Sequence, residues 1–291
     1  RTSSRGWALA AANVSLVVRA KNEARHLPTL LDGVAAQTER GVEVVLVDSG
    51  STDETIALAR ARGARIETIS PDEFTFGRSL NIGVRASSAP FVVVVSAHTR
   101  PVDGRCLENL LKPLRERPEV AMVYGRQIGC ESSKFSEALD FDRFFGPGAK
   151  EIDEHFFANN ANSAVRKELW GLHPFDEDLP GLEDIEWGRW WRARGKRVAY
   201  AHDAAIHHIH EESWAQVRSR YFREGIAARR IGWLKRRDLP VEVWGEMKWL
   251  AADIVEASKR GLLSDKLGEI LRFRLNKVAG TVTGVWTEGN R

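Results

Sequence analysis

Adjacent carboxylates at Glu183 and Asp184, histidines at 98, 207, 208 and 210, and two acid-bearing loops around residues 19–23 and 48–53 are the groups in this chain able to do chemistry. Glu183 and Asp184 open a helical pattern that continues from Ile185 to Arg194. Such acids can simply cap a helix and complement its dipole. A carboxylate with a second one beside it in a cleft is also the group that takes a proton from an attacking hydroxyl, as a general base. His207-His208-Ile209-His210 closes a short apolar run, and strand alternation puts His208 and His210 on one face, suited to a shared metal or a phosphate. No cysteine lies nearby and the spacing fits no structural zinc pattern.

A second group lies at the ends of apolar runs. Arg19, Asn22 and Glu23 follow VSLVV, and Asp48, Ser51 and Asp53 follow VEVVLV. Carboxylates at such edges accept hydrogen bonds from base N–H groups and ribose hydroxyls, while arginine and a helix N-terminus can face phosphate. Ser96-Ala97-His98 follows FVVVV, where a strand ending in small, polar and metal-capable residues can present Mg²⁺ or Mn²⁺ to a diphosphate. His98 is the candidate ligand there; the alternative is a histidine bonded to backbone in a tight turn.

The elements that must position these groups alternate. Val14–Val18 reads as a strand, 22–36 as a helix with Leu27, Leu30, Leu31 and Val34 at helical spacing, and 42–47 as a second strand. Ser51 or Thr52 offers an N-cap for a helix that Gly63 ends. Residues 65–69, 78–87 and 91–95 read as strand, helix and strand, so the fold class is α/β with a parallel, doubly wound start. Beyond residue 101 a helix at 107–116, a strand at 120–124, a loop at Gly146–Gly148 and a return strand ending in the histidines make the sheet mixed, though mainly parallel. The expected division is a flexible lead-in at 1–12, a catalytic domain at 13–212 with halves at 13–101 and 102–212, and a helical C-terminal region at 213–291.

Cys106 and Cys130 are too few for a disulfide framework, and no apolar run approaches the roughly 20 residues that span a bilayer. Cytoplasmic residence is the default expectation. The net charge of +3 hides an asymmetry: residues 213–291 carry 16 Lys and Arg against 9 Asp and Glu, a net +7, so the remainder sums to −4. That region also holds Trp214, Trp233, Trp244, Trp249 and Trp286. It suits peripheral contact with an anionic membrane, an anionic substrate, a dimer interface, or an amphipathic bundle with a solvated basic face.

VSLVVRAKNEARHL, VEVVLVDSGSTDET, FTFGRSLNIGVRAS, FVVVVSAHTRP, ANNANSAVRKELW, GLEDIEWGRWWRARG and IHHIH, in that order, resemble glycosyltransferase family 2, particularly bacterial rhamnosyltransferase-like members of polysaccharide assembly. The resemblance covers residues 13–212. It implies the glycosyltransferase A fold, a nucleotide-diphosphate sugar donor, a glycan or lipid-linked acceptor, a divalent cation, inversion at the anomeric carbon, and no nucleic-acid partner. It places Arg19, Asn22, Glu23, Asp48, Ser51, Asp53, Arg78, Asn81, Ser96 and Ala97 on the donor. Asp184 becomes the catalytic base with Glu183 beside it, and Asn160, Asn162 and Trp187 fall on the acceptor side. The chain departs from the family where Ser96-Ala97-His98 replaces Asp-x-Asp, so His98, with His208 or His210, is the expected cation set. The rivals are a nucleotidyltransferase, which would want a glycine-rich, lysine-bearing loop that RAKNEARH lacks, a non-catalytic saccharide-binding protein, and a retaining transferase on the same fold.

Overall fold

The computed structural model describes residues 12–146 and 157–287; the expected lead-in therefore falls almost wholly outside the described residues, as do Gly148 and part of the expected loop around it. The chain alternates as expected through β1 (Val14–Ala20), α1 (Leu27–Ala35), β2 (Val42–Asp48), α2 (Thr55–Ala61), β3 (Arg65–Thr68), α3 (Phe76–Ala86) and β4 (Phe91–Ser96). β1, β2 and β4 are buried on both faces, as the unbroken valine and leucine runs require of parallel strands under helices. There follow β5 (Thr99–Pro101), α4 (Cys106–Glu116), β6 (Val120–Ile128), α5 (Phe135–Phe145), β7 (Asn162–Arg166), α6 (Lys167–Leu172), α7 (Glu183–Arg192) and β8 (Arg197–His208).

Three starts differ from the sequence reading. The first helix begins at Leu27 rather than residue 22, because Asn22 sits at φ +56, outside the helical region, and Pro28 takes a first-turn position. The second begins at Thr55: Ser51 and Thr52 bond to Asn22 across the neighbouring loop instead of capping. The third begins at Phe76, two residues before Arg78, because the Thr75 side chain accepts from the Arg78 backbone N–H and caps it.

The eight strands form one mixed sheet in the order β3-β2-β1-β4-β7-β6-β8-β5. β3, β2, β1 and β4 are parallel, β7 runs antiparallel to both its neighbours, β6 and β8 are parallel, and β5 is antiparallel to β8. Register decides what meets at the edge. Ala20 pairs with Asp48, Arg19 with Ser96, and Val95 with Asn162, so the C-terminal ends of β1, β2 and β4 share one rim with the start of β7. Thr99 pairs with His208. At the β6–β8 irregularity Gly125 is obligatory, since a Cβ there would lie 2.2 Å from the Asn162 amide nitrogen and 2.3 Å from the Ala204 carbonyl oxygen.

Contacts divide the chain into two compact units: residues 1–128, 145–178 and 183–208 in one, and 129–144, 179–182 and 209–291 in the other. The second unit is helical, built on α8 (Trp214–Arg230), α9 (Leu239–Lys259) and α10 (Leu263–Thr287), with residues 135–144 of α5. α8 and α10 approach closely through Gly225, Gly280 and Gly284; a Cβ on Gly284 would lie 2.2 Å from the Phe222 carbonyl oxygen. Its interior holds Arg274, fully buried, which pairs with Asp140 (2.7 Å), Glu246 (2.9 Å) and Asp253 (2.8 Å). Lys277 joins Asp140 and Glu246, and Arg143 joins Asp140 and Asp253. Asp140 stays below the ordinary carboxylate range although burial opposes it, because Lys277 and Arg274 outweigh that cost.

Candidate active site

The loops after β1 and β2 are laced together. The Asn22 N–H donates to Ser51 Oγ, Asn22 Oδ1 accepts from the Thr52 N–H, the Glu23 N–H donates to Thr55 Oγ1, and the Ala24 N–H donates to Asp53 Oδ2. Asn22, Ser51 and Asp53, expected on the donor, thus hold each other's loop in place. Asp53 is kept below its ordinary value chiefly by the Thr55 hydroxyl, against the desolvation cost, with backbone bonds from Thr55 and Ala24 adding to it. Asp48 is different. It is buried, its Oδ2 accepts from the Gly50 and Ser51 N–H groups, and its Oδ1 has no hydrogen-bond partner. A buried acceptor left without a partner costs about 1–3 kcal/mol, so Oδ1 is an outlet for a ligand N–H or hydroxyl.

Arg19, at the end of β1, reaches toward the other carboxylates. Its guanidinium lies 3.6 Å from Glu183 Oε1 and over the Phe76 ring at 4.8 Å. Glu183 and Asp184 form the first turn of α7, directly after Leu182, whose φ of +58 is a rare setting for a bulky residue. Asn160 binds both acids: its backbone N–H donates to Asp184 Oδ2 at 2.8 Å, and its amide nitrogen lies 3.3 Å from Glu183 Oε1. Burial, followed by the adjacent Glu183 charge, pushes Asp184 up to about 7, against the Asn160 and Ile185 backbone bonds and the Arg19 charge. A carboxylate tuned to neutrality can accept a proton at physiological pH and give it up again.

His98 follows β4, and its Nδ1 lies 2.8 Å from Glu23 Oε1. Its ring stacks on His208 at a centroid distance of 5.2 Å, and His208 Nδ1 lies 2.7 Å from Gln127 Oε1. The metal-capable nitrogens of His98 and His208 come within 4.8 Å of each other. β8 ends at His208, so strand alternation alone does not fix where His210 points. His210 belongs to the helical unit, where its Nδ1 lies 2.8 Å from Glu137 Oε1. Gln127 and Thr55 escaped the sequence reading. A strand taken to end at Tyr124 hid Gln127, and Thr55 resembled any first-turn threonine.

Four expected ligand contacts are corrected by packing. The Asn81 amide donates to the Phe175 carbonyl and Glu177 and accepts from Trp170 Nε1 and the Phe175 N–H, so every hydrogen-bonding position on it is filled. It fastens α3 to the segment before α7 and has nothing left for a donor. Asn162 is buried, its amide nitrogen bonded to the Ala204 carbonyl 2.8 Å away. Asn160 is also buried and serves the two carboxylates, not an acceptor sugar. Trp187 is 0% exposed and donates to the His173 carbonyl, so it is core rather than a stacking platform. Arg78 stays half-exposed near Glu73 and Glu177, Ser96 half-buried, and Ala97 buried with no side-chain polarity to offer.

Comparison with known proteins fits this geometry. The family profile described as Glycosyl transferase family 2 matches residues 15–170. The chain is 24% identical over 237 residues to the O-antigen chain rhamnosyltransferase RfbN of Salmonella typhimurium, spanning 77% of this chain and 74% of that protein. It is 26% identical over 213 residues to the O-antigen chain rhamnosyltransferase WbaN of Salmonella anatum, spanning 69% and 67%. Among solved structures, the mannosyltransferase PcManGT of Pyrobaculum calidifontis, in complex with GDP-Man and Mn²⁺, superposes with a TM-score of 0.65 at 18% identity, covering 97% of this chain and 91% of that one. Residues 1–349 of S. aureus TarS superpose with a TM-score of 0.54 at 15% identity, covering 91% and 90%. These likenesses identify the sheet and its flanking helices as the glycosyltransferase A fold. With the profile spanning more than half of the residues, the chain belongs to glycosyltransferase family 2 and is a glycosyltransferase.

Proposed function

We propose that the enzyme moves a sugar from a nucleoside-diphosphate sugar to a hydroxyl of a glycan or lipid-linked acceptor, with inversion, in the assembly of a cell-surface polysaccharide. The observation that carries the reading is Asp184: a buried carboxylate, fixed by the Asn160 N–H and raised to about 7. In the step proposed, Asp184 takes the acceptor's hydroxyl proton as that oxygen attacks the anomeric carbon from the face opposite the diphosphate. The glycosidic bond to phosphate breaks and the nucleoside diphosphate leaves with the electron pair. Asp48 Oδ1 takes the donor's base or ribose, and Arg19, set between Glu183 and the donor rim, faces the developing phosphate charge.

The residues present fit a divalent cation. His98 and His208 supply imidazoles within reach of each other, each oriented at Nδ1 by Glu23 or Gln127. Bound there, a cation would neutralise charge on the departing diphosphate. Imidazole favours Mn²⁺ over Mg²⁺. The names of two relatives make a rhamnosyl donor the first to assay.

The test is Asp184→Asn. Turnover should drop by about 10²–10⁴-fold, the usual contribution of a positioned base, while donor binding by calorimetry stays within a few-fold. Unchanged turnover would refute the base assignment. Product configuration by NMR decides inversion: a retained anomer would reject the single-displacement step.

A further inference from the structure

α9 is built inside out. Its carboxylates Glu246 and Asp253 are buried against Arg274, whereas Val241, Trp244 and Val255 are 74%, 63% and 52% exposed. At 100° per residue Val241, Trp244, Lys248, Val255 and Lys259 fall in one stripe, roughly a 60° arc, that contains no acid. Lys248 Nζ lies 5.8 Å from the Trp244 ring centroid. α10 repeats the pattern with Leu267, Leu271 and Leu275 exposed at successive turns and Arg272 beside them. An ordinary bundle helix would turn these apolar residues inward and its acids outward.

We propose that this helical unit lies on an anionic lipid bilayer, with Val241, Trp244 and Val255 entering the headgroup boundary and Lys248 and Lys259 reaching lipid phosphate. Two features select lipid over a second copy of the chain. The +7 charge of residues 213–291 complements an anionic surface, and a parallel two-fold pairing through this stripe would bring Lys248 against Lys248 and Lys259 against Lys259. Tryptophan beside lysine is the composition of a membrane-interface face, where the indole sits among headgroups and the lysine stem snorkels. No described helix is long and apolar enough to cross a membrane, so the contact is one of lying on the surface. The surface stands independently of the sugar-transfer reading.

The experiment is co-sedimentation of the full chain with phosphatidylcholine vesicles and with mixed phosphatidylcholine–phosphatidylglycerol vesicles. Binding should appear only with the mixed vesicles, blue-shift the tryptophan emission and weaken with salt. Lys248→Glu should weaken it at least about fivefold, from roughly 1 kcal/mol per basic residue, and Trp244→Glu at least as much. Both side chains are exposed, and unchanged circular dichroism would confirm that the variants fold. Failure to bind mixed vesicles overturns the proposal, as does binding unaffected when Trp244→Glu and Lys248→Glu are combined. A dimer in sedimentation velocity that Trp244→Glu dissolves, without vesicle binding, would assign the stripe to a second copy instead.

Discussion

Asp184 and Glu137 show how far the surroundings move a carboxyl group, and in opposite directions. Asp184 rises to about 7 because burial and Glu183 outweigh its hydrogen bonds. A base must be unprotonated to work, so kcat/KM should climb about tenfold per pH unit below 7 and level off above it. A flat profile between pH 5 and 8, measured with chemistry rate-limiting, would remove Asp184 from the role. Glu137 falls to about 2: burial pushes it up, but His210 and then Arg220 more than reverse that. A depressed acid stabilises the fold above its unfolded value of 4.5 and loses that contribution as pH falls toward 2. Glu137→Gln should therefore flatten the loss of urea stability over that interval. At the imidazoles, Glu23→Ala removes the acceptor that orients His98, and Mn²⁺ affinity by calorimetry should weaken about 10–100-fold. Chelation should abolish transfer and added Mn²⁺ restore it.

Helices and strands were legible to different depths. β1, β2 and β4 could be read directly, since an unbroken apolar run followed by a polar loop has few other meanings in a chain of this kind. That Glu183 and Asp184 open a helix could be read too. Helix starts could not be, because Ser51 and Thr52 look like caps until the Asn22 loop comes to lie across them. Nor could Asn81, Asn162 and Trp187 be told from ligand contacts: a polar or aromatic side chain facing a distant segment reads the same in sequence whether that segment is protein or sugar. The α8–α10 crossing makes the sharpest element-level prediction. Gly284→Val forces a side chain into the Phe222 carbonyl and should destabilise the helical unit by about 1–3 kcal/mol, seen as a lower urea midpoint. Arg274→Ala should cost about 3–5 kcal/mol, since it leaves only Lys277 and Arg143 to balance the three buried carboxylates Asp140, Glu246 and Asp253.

Over the whole molecule, the two compact units keep separate apolar cores, one around β1, β2, β4 and their helices, the other around Phe135, Leu139, Ala257 and Ile270. Calorimetry should resolve more than one unfolding transition, and Gly284→Val should lower only one of them; a single transition moving as a whole would show that the units unfold together. The composition of residues 213–291 announced basic charge and tryptophan, yet which of those tryptophans face outward depends on where α9 finds partners for its acids. The laced loops after β1 and β2 carry a further consequence. Four bonds already fix residues 22–24 against 51–55, so the entropy of ordering that rim is lost when the chain folds and not when a ligand arrives. The amides of Asn22, Glu23 and Thr52 should accordingly exchange slowly with solvent deuterium in the empty enzyme and slow little further on occupation, as in a socket cast before its plug.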